Sequence, residues 1–285
     1  MVESASPGLG TLLADDDPEV FQLLRPQGSS ACLITCDHAG RAIPRRLDRL
    51  SLADSALGGH WAWDLGVAEL GRRLSARLDA ALFLQNYSRL VIDANRPLGA
   101  FDSIPVLSER TRIPANERLS AEQIRQRVDE VFLPYHRRLA AELDQRAARG
   151  RPSVLVALHS FTPVFLDERR PWQVGVLYNR DARLGRLMHS HLSRDPALVV
   201  GENEPYAASD ASDYTIVVHG EERGIPHVEL EVRQDLLSHD AGLGVWAERL
   251  AGALEACLPA VISSAAESPP PLVPPHPADL GACCA

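Results

Sequence analysis

Six short apolar runs punctuate residues 31–233, and helical patterns fill most of the gaps. The runs are ACLITCDH, AALFLQN, RLVIDAN, SVLVALHS, WQVGVLYN and PHVELEV. Short runs bounded by polar or turn residues predict strands. Trp63, Val67, Leu70, Leu74 and Leu78 recur three and four apart. They predict a core-facing stripe on a helix over about residues 60–78. LSAEQIRQRVDEVF opens with Ser120 and carries Gln123 three residues later, a capping-box pattern. Ile124, Val128, Val131 and Tyr135 continue its stripe, and Pro134 predicts a kink or an end. A last helix is predicted over about 244–257. Strands that alternate with helices confine the chain to an α/β fold with an open, largely parallel sheet.

A chain of 285 residues, 45% of them hydrophobic, has enough apolar surface for a sizeable core. No internal repeat and no break in composition divides it. We therefore expect one domain over 16–264, a loose leader over 1–15 and a disordered Pro-rich tail over 265–285. The first residues lack a basic stretch followed by an apolar one, so no secretory signal is read there. No apolar run approaches the roughly 20 residues that span a bilayer, so a cytoplasmic protein is expected. The net charge is -9 and every basic residue is Arg. An acidic chain without a basic stripe is a poor nucleic-acid binder. Five cysteines without a C-x-x-C pair argue against a disulfide framework or a thiolate zinc site, and Cys32 and Cys36 read as buried thiols.

In open α/β sheets, ligands bind outside the carboxyl ends of the strands. Polar residues collect there in this chain. LITCDH ends in Asp37 and His38, followed by Gly40, which lets backbone pass close to a ligand. RLVIDANRP ends in Asp93, Asn95 and Arg96, SVLVALHSF in His159 and Ser160, and PHVELEVRQD carries Glu229, Glu231, Arg233 and Asp235. Two histidines from separate strands plus a carboxylate form the ligand set of a catalytic zinc site. His60 and Asp64 of GGHWAWDLG are four apart, so both project from one side of a helix start, and spacing does not choose between them as third ligand. Each residue also has a plainer use. His60 caps its helix, Asp64 accepts hydrogen bonds in a first turn, Asp93 braces a turn, and Glu229 or Glu231 pairs with Arg233. His136 in PYH reads equally as a site neighbour or as part of a kinked surface helix. Ser160 lacks a G-x-S-x-G elbow, which argues against a serine hydrolase.

At these residues the chain resembles the N-formylglutamate amidohydrolase family. The segments that carry the resemblance are CDHAGRAIP, HWAWDLG, SRLVIDANRP, LHSFTPV, RPWQVGVLY, ENEPY and ELEVRQDL, in order from about residue 32 to 237. That family is distantly similar to zinc carboxypeptidases and to aspartoacylase-type deacylases. The resemblance implies their α/β fold, a central mixed sheet flanked by helices of the phosphorylase/hydrolase-like type. It also implies roles. Asn95 and Arg96 of DANRP are similar to the carboxypeptidase pair that holds a substrate carboxylate. Glu231 resembles the catalytic glutamate, and His38 and His159 the first and last zinc ligands. The carboxypeptidases place a ligand glutamate three residues after the first histidine, where this chain has Arg41. The third ligand comes from elsewhere, and Asp64 is favoured over His60.

The implied activity is zinc-assisted hydrolysis of an N-acyl amino acid, with N-formyl-L-glutamate the first candidate. Its products are formate and glutamate, a final step of one route of histidine degradation. Arg96 with Asn95 takes one carboxylate, and Arg89 or Arg233 a second. The alternatives are another N-acyl amino acid amidase or a small carboxypeptidase on the same scaffold, or a non-catalytic carboxylate-binding module. One expectation follows for the tail alone. Removing the chain from Glu267 onward should leave the melting temperature and turnover nearly unchanged, because a Pro-rich segment offers no apolar stripe to dock. A drop of several degrees on thermal denaturation shows instead that the tail packs on the domain.

Overall fold

Four of the expected strands form the parallel centre of one sheet. The computed structural model describes residues 10–53 and 57–266, so the tail from Glu267 and residues 1–9 of the leader lie outside the described residues. The sheet holds β1 (Phe21–Leu24), β2 (Cys32–Cys36), β3 (Ala81–Gln85), β4 (Val154–Phe161), β5 (Val174–Leu177), β6 (Val200–Glu202) and β7 (His227–Arg233). Their order across it is β1-β3-β2-β4-β7-β5-β6. β3, β2, β4 and β7 run parallel. β1 is antiparallel to β3 at one edge, while β5 is antiparallel to β7 at the other and carries β6 parallel to itself. The fold is a single α/β domain around a mixed, mostly parallel sheet flanked by helices.

The helices are α1 (Val67–Leu78), α2 (Ala121–Arg127), α3 (Leu133–Ala148), α4 (Arg183–Leu192) and α5 (Asp240–Ala266). Every residue of β2, β3 and β4 is buried, because both sheet faces are covered. That explains why their sequences are nearly unbroken apolar runs rather than alternating ones. Ile34, Leu82, Val156 and Leu230 pack with Val67, Leu70 and Leu74 of α1, Met188 of α4 and Leu250 of α5. Leu33, Phe83 and Leu155 pack on the opposite face with Tyr135, Leu139 and Leu143 of α3. Each such side chain contributes about 1.5–3 kcal/mol when removed from water. β7 departs from the pattern. Val228, Leu230 and Val232 join the first core, so the alternation of the strand turns Glu229 and Glu231 to the other face.

Several local expectations are corrected. RLVIDAN is not a strand but a buried, irregular segment of turns. Its backbone finds partners outside any sheet: Asp93 N donates to Ser103 O at 2.8 Å, and Asn116 Nδ2 donates to Leu90 O at 2.8 Å. The helix expected over 60–78 begins only at Val67, since Gly66 sits at φ +81°, a left-handed backbone that interrupts it. His60 and Asp64 are therefore loop residues and share no helix face. The regular α-helix that begins at Ala121 ends at Arg127, and a π-helical stretch over Val128–Phe132 leads into α3, whose first turn holds Pro134. The capping box at Ser120 and Gln123 is present as expected.

The last helix is longer than expected, spanning Asp240–Ala266 with Pro259 inside it. Of the stretch expected as a loose leader, residues 10–15 pack on the domain. Leu12 is buried, and the backbone N–H groups of Leu12 and Leu13 donate to the Glu130 carboxylate at 2.7 and 2.9 Å. Cys32, Cys36 and Cys257 are buried free thiols. No helix among the described residues is long and apolar enough to cross a membrane.

Gly40 answers to backbone rather than to a ligand. A Cβ there would lie 1.9 Å from Asn86 O, on the strand-end segment beside it. Gly40→Ala must push two backbones apart, and overpacking of this kind costs about 1–3 kcal/mol. Its melting temperature should fall by several degrees; an unchanged melting curve shows that the contact yields freely.

Candidate active site

The turn after β2 and the last residues of β4 deliver two imidazoles to one point. His38 follows the end of β2 by two residues, and its backbone carbonyl accepts the Asp64 N–H at 2.9 Å. That bond ties the loop before α1 to the strand end and swings the Asp64 carboxylate between the two histidines. Asp64 Oδ2 lies 3.5 Å from His38 Nδ1 and 3.0 Å from His159 Nδ1. One donor atom from each of His38, Asp64 and His159 falls within 4.8 Å of the others, and all three residues are buried.

A carboxylate stands behind each ring, hydrogen-bonded to His38 and farther from His159. His38 Nε2 is 2.7 Å from Asp93 Oδ1, and His159 Nε2 is 3.5 Å from Asp37 Oδ2. Nε2 of each ring faces an outer carboxylate, and each Nδ1, turned toward Asp64, would release its proton to take a metal, the orientation usual for metal-binding histidines. The outer carboxylates are themselves held: Tyr135 donates its hydroxyl to Asp37 at 2.6 Å, and Arg89 Nη2 pairs with Asp93 at 2.6 Å. Burial opposes charge on Asp64, yet His38 and His159 hold its carboxyl below the usual range. Burial likewise opposes charge on Asp93, and Arg89 and His38 outweigh it. His159 is raised despite its burial, by hydrogen bonds to Asp37 and Asp64.

Glu231 stands beside His159 in the parallel register of β7 on β4. Its Oε2 is buried and has no hydrogen-bond partner. Burial raises its carboxyl to about 7, with Asp64 adding to the effect and His159 opposing it. Glu229, two residues earlier on the same face, accepts from Asn95 Nδ2 at 3.4 Å. Burial and nearby Asp213 push its carboxyl well above the ordinary range. Glu231, Glu229 and the His–Asp–His group line one cavity of about 540 Å³.

The chain resembles known proteins over nearly this whole domain. The profile of the N-formylglutamate amidohydrolase family matches residues 30–238. The chain belongs to that family, and so to the hydrolases that act on amide bonds. A crystal structure of a gene product from Agrobacterium tumefaciens is 30% identical, with a TM-score of 0.85 over 88% of this chain and 99% of that one. An N-formylglutamate amidohydrolase from Ralstonia eutropha is 17% identical, with a TM-score of 0.64 over 87% of this chain and 100% of that one, and shares the fold. No curated protein sequence matches the chain significantly.

The remaining residues singled out in the sequence divide sharply. Arg89 lines the cavity, with Nη1 3.4 Å from His38 Nδ1. Arg96 lines it too, with Nε on Asp102 at 2.8 Å and Nη1 on the carbonyls of Asn95 and Ser212. Asn95 is spent on structure: its Oδ1 accepts the N–H groups of Tyr214 and Thr215, and its Nδ2 reaches Asp213 and Glu229. That geometry braces the cavity floor rather than presenting an amide to substrate. Arg233 leaves the site. It pairs with Asp235 at 2.8 Å and donates to the carbonyls of residues 170–172 beyond the end of β7, so neither a substrate clamp nor a Glu231 partner forms. His60 pairs with Glu109 at 3.0 Å and stands apart from the His–Asp–His group. Ser160 donates its hydroxyl to Leu65 O at 2.8 Å, which takes it out of contention as a nucleophile. His136 is buried, held by Ala94 O at 2.8 Å and stacked on His219, and does not line the cavity. Tyr135 and Asp37 were legible only as a stripe residue and a strand end; nothing local marks their bond.

Two substitutions separate the ligand candidates. Asp64→Asn should lose bound metal and His60→Asn should keep it, as read by metal content after gel filtration. Metal loss in His60→Asn alone reverses the assignment. His159→Ala should also lose metal while keeping its melting temperature within a few degrees, because a strand-end imidazole contributes little to the core.

Proposed function

We propose that this protein hydrolyses the amide bond of an N-acyl amino acid with a zinc ion held by His38, Asp64 and His159. The observation that carries this reading is the convergence of the three donor atoms beside an unpartnered, buried Glu231 at a cavity wall. Two nitrogens and one carboxylate oxygen suit zinc, and a tetrahedral site with bonds of about 2.0–2.1 Å spaces its ligands roughly 3.4 Å apart. The 3.5 and 3.0 Å separations of Asp64 from the two imidazoles fit that spacing. Zinc bound there supplies Lewis acidity, which polarises an acyl oxygen and lowers the pKa of water.

The chain's own residues do the rest. Glu231 takes a proton from the attacking water and returns it to the departing nitrogen, a task suited to a carboxyl near 7. Arg89 and Arg96 offer positive charge to the carboxylate of the amino acid. Asp93 holds the His38 imidazole in one tautomer and orientation, and Asp37 sets a negative charge behind His159. Glu229, bound by Asn95, stays out of the proton transfer. N-formyl-L-glutamate is the first compound to assay, because the family is described by it. Other N-acyl amino acids form the second set, favoured by the breadth of the cavity and its apolar mouth.

Glu231→Gln keeps shape and removes the base. Turnover should fall by about 10²- to 10⁴-fold with zinc content and melting temperature preserved. Glu229→Gln should act mainly on stability. A zinc-loaded, fully active Glu231→Gln enzyme rules out the assigned role, and loss of turnover in Glu229→Gln alone transfers it to that residue. Treatment with a chelator should abolish turnover, and zinc should restore it; full activity in metal-free protein removes the metal from the reaction.

A further inference from the structure

We infer that the cavity mouth is an apolar subsite, and that the preferred substrate is a monocarboxylate bearing a bulky apolar or aromatic group next to the scissile amide. This rests on the amidase reading and concerns what that site accepts.

Two observations carry it. The first is the charge of the lining. Arg89 and Arg96 are the two guanidiniums among the side chains around the cavity, against five aspartates and glutamates besides the raised Glu229 and Glu231. Both guanidiniums already answer to carboxylates, Arg89 to Asp93 and Arg96 to Asp102. One substrate carboxylate can share Arg89 or Arg96, but the second carboxylate of a glutamate substrate finds no further guanidinium in the lining. Burying a charge without a partner is costly.

The second is the rim. Phe101 is 94% exposed and Leu107 59% exposed, yet both line this cavity, together with Trp61, Phe165 and Tyr206. Large apolar side chains held in water beside a ligand cavity mark a binding surface more often than chance. Part of this rim is braced. The Arg170 guanidinium lies 4.7 Å from the ring centres of both Phe165 and Tyr206 and donates to the Tyr206 hydroxyl at 2.8 Å. Arg170 does not itself line the cavity, so it stiffens the wall without offering a second clamp. The Trp61 indole N–H is buried without a hydrogen-bond partner and is a donor available to a polar group of the ligand. A rim of this kind pays a phenyl or branched aliphatic group well and a carboxylate poorly.

The apolar group can belong to the amino acid or to the acyl part, and the probes tell these apart. N-formyl-L-phenylalanine places it on the first, N-benzoylglycine on the second, and N-formyl-L-glutamate and N-formylglycine are the references. Dissociation constants are measured by calorimetry on zinc-loaded, full-length Glu231→Gln protein, and kcat/KM on the unsubstituted enzyme. One of the two aromatic compounds should bind at least about tenfold more tightly than N-formyl-L-glutamate, the return expected for burying a phenyl group. Phe101→Ala and Phe165→Ala should each cut that preference several-fold. Phe101 is almost wholly exposed, so its variant keeps the test meaningful even if Phe165→Ala folds poorly. Tightest binding of N-formyl-L-glutamate, or a preference that survives Phe101→Ala, overturns the subsite. Rim-dependent binding of an aromatic compound with no hydrolysis of any probe leaves the subsite standing and removes the amidase reading. Hydrolysis with N-formyl-L-glutamate bound best does the reverse.

Discussion

The Asp64 carboxylate is the junction on which the site depends. It faces His38 and His159 together, and its second contact, the Ser160 backbone N–H at 3.2 Å, anchors it to the end of β4. Its own N–H is tied to His38 O. Three segments far apart in sequence thus meet through one residue. Buried charges persist only when they are paired and hydrogen-bonded. Here the pairing runs outward in layers, from Asp64 to the imidazoles, from the imidazoles to Asp37 and Asp93, and from these to Tyr135 and Arg89. Tyr135 is also a core residue of α3 packed on Leu33 and Phe83. The core therefore holds the outermost layer, and the precision of the site derives from packing as much as from its polar bonds.

What was legible in the sequence followed from periodicity and from topology. Strands buried on both faces read as apolar runs, so β2, β3, β4 and β5 stood out, and β7 by its alternation; an imidazole at one strand end is more often structural, and the meeting of several polar strand ends pointed to a site. Edge strands gave no such signal: β1 and β6 are short and only partly buried. RLVIDAN carried the composition of a strand but is a loop. Its backbone is satisfied by Ser103 and Asn116, and no local pattern reveals partners that distant. Arg233 was misplaced for a related reason. It shares the face of Glu229 and Glu231 by alternation, but β7 has by then run past the cavity, and the carbonyls of residues 170–172 capture the guanidinium.

Asn95 shows how a motif residue can keep its place and change its work. Its amide joins the floor of the cavity to the start of the π-helical turn over Thr215–Glu221, through the N–H groups of Tyr214 and Thr215. The same amide reaches Glu229. Substituting Asn95 would therefore disturb the floor and the second glutamate together, whatever it did to a ligand. A kinetic effect at this position reports on positioning before it reports on contact with substrate.

Glu229 and Glu231 are set apart by environment alone. They lie two residues apart on one strand, on one face, in one cavity. Glu229 is buried beside Asp213 and takes a donor from Asn95; burial first, and repulsion between the two acids second, raise its carboxyl. Glu231 has no such acid as its chief neighbour; burial sets it near 7, while His159 and the Arg89 guanidinium draw it back toward the charged form. The register of β7 on β4 then matters more than the spacing of the two acids: by pairing Glu231 with His159, it sets Glu231, and not its neighbour, against the His–Asp–His group.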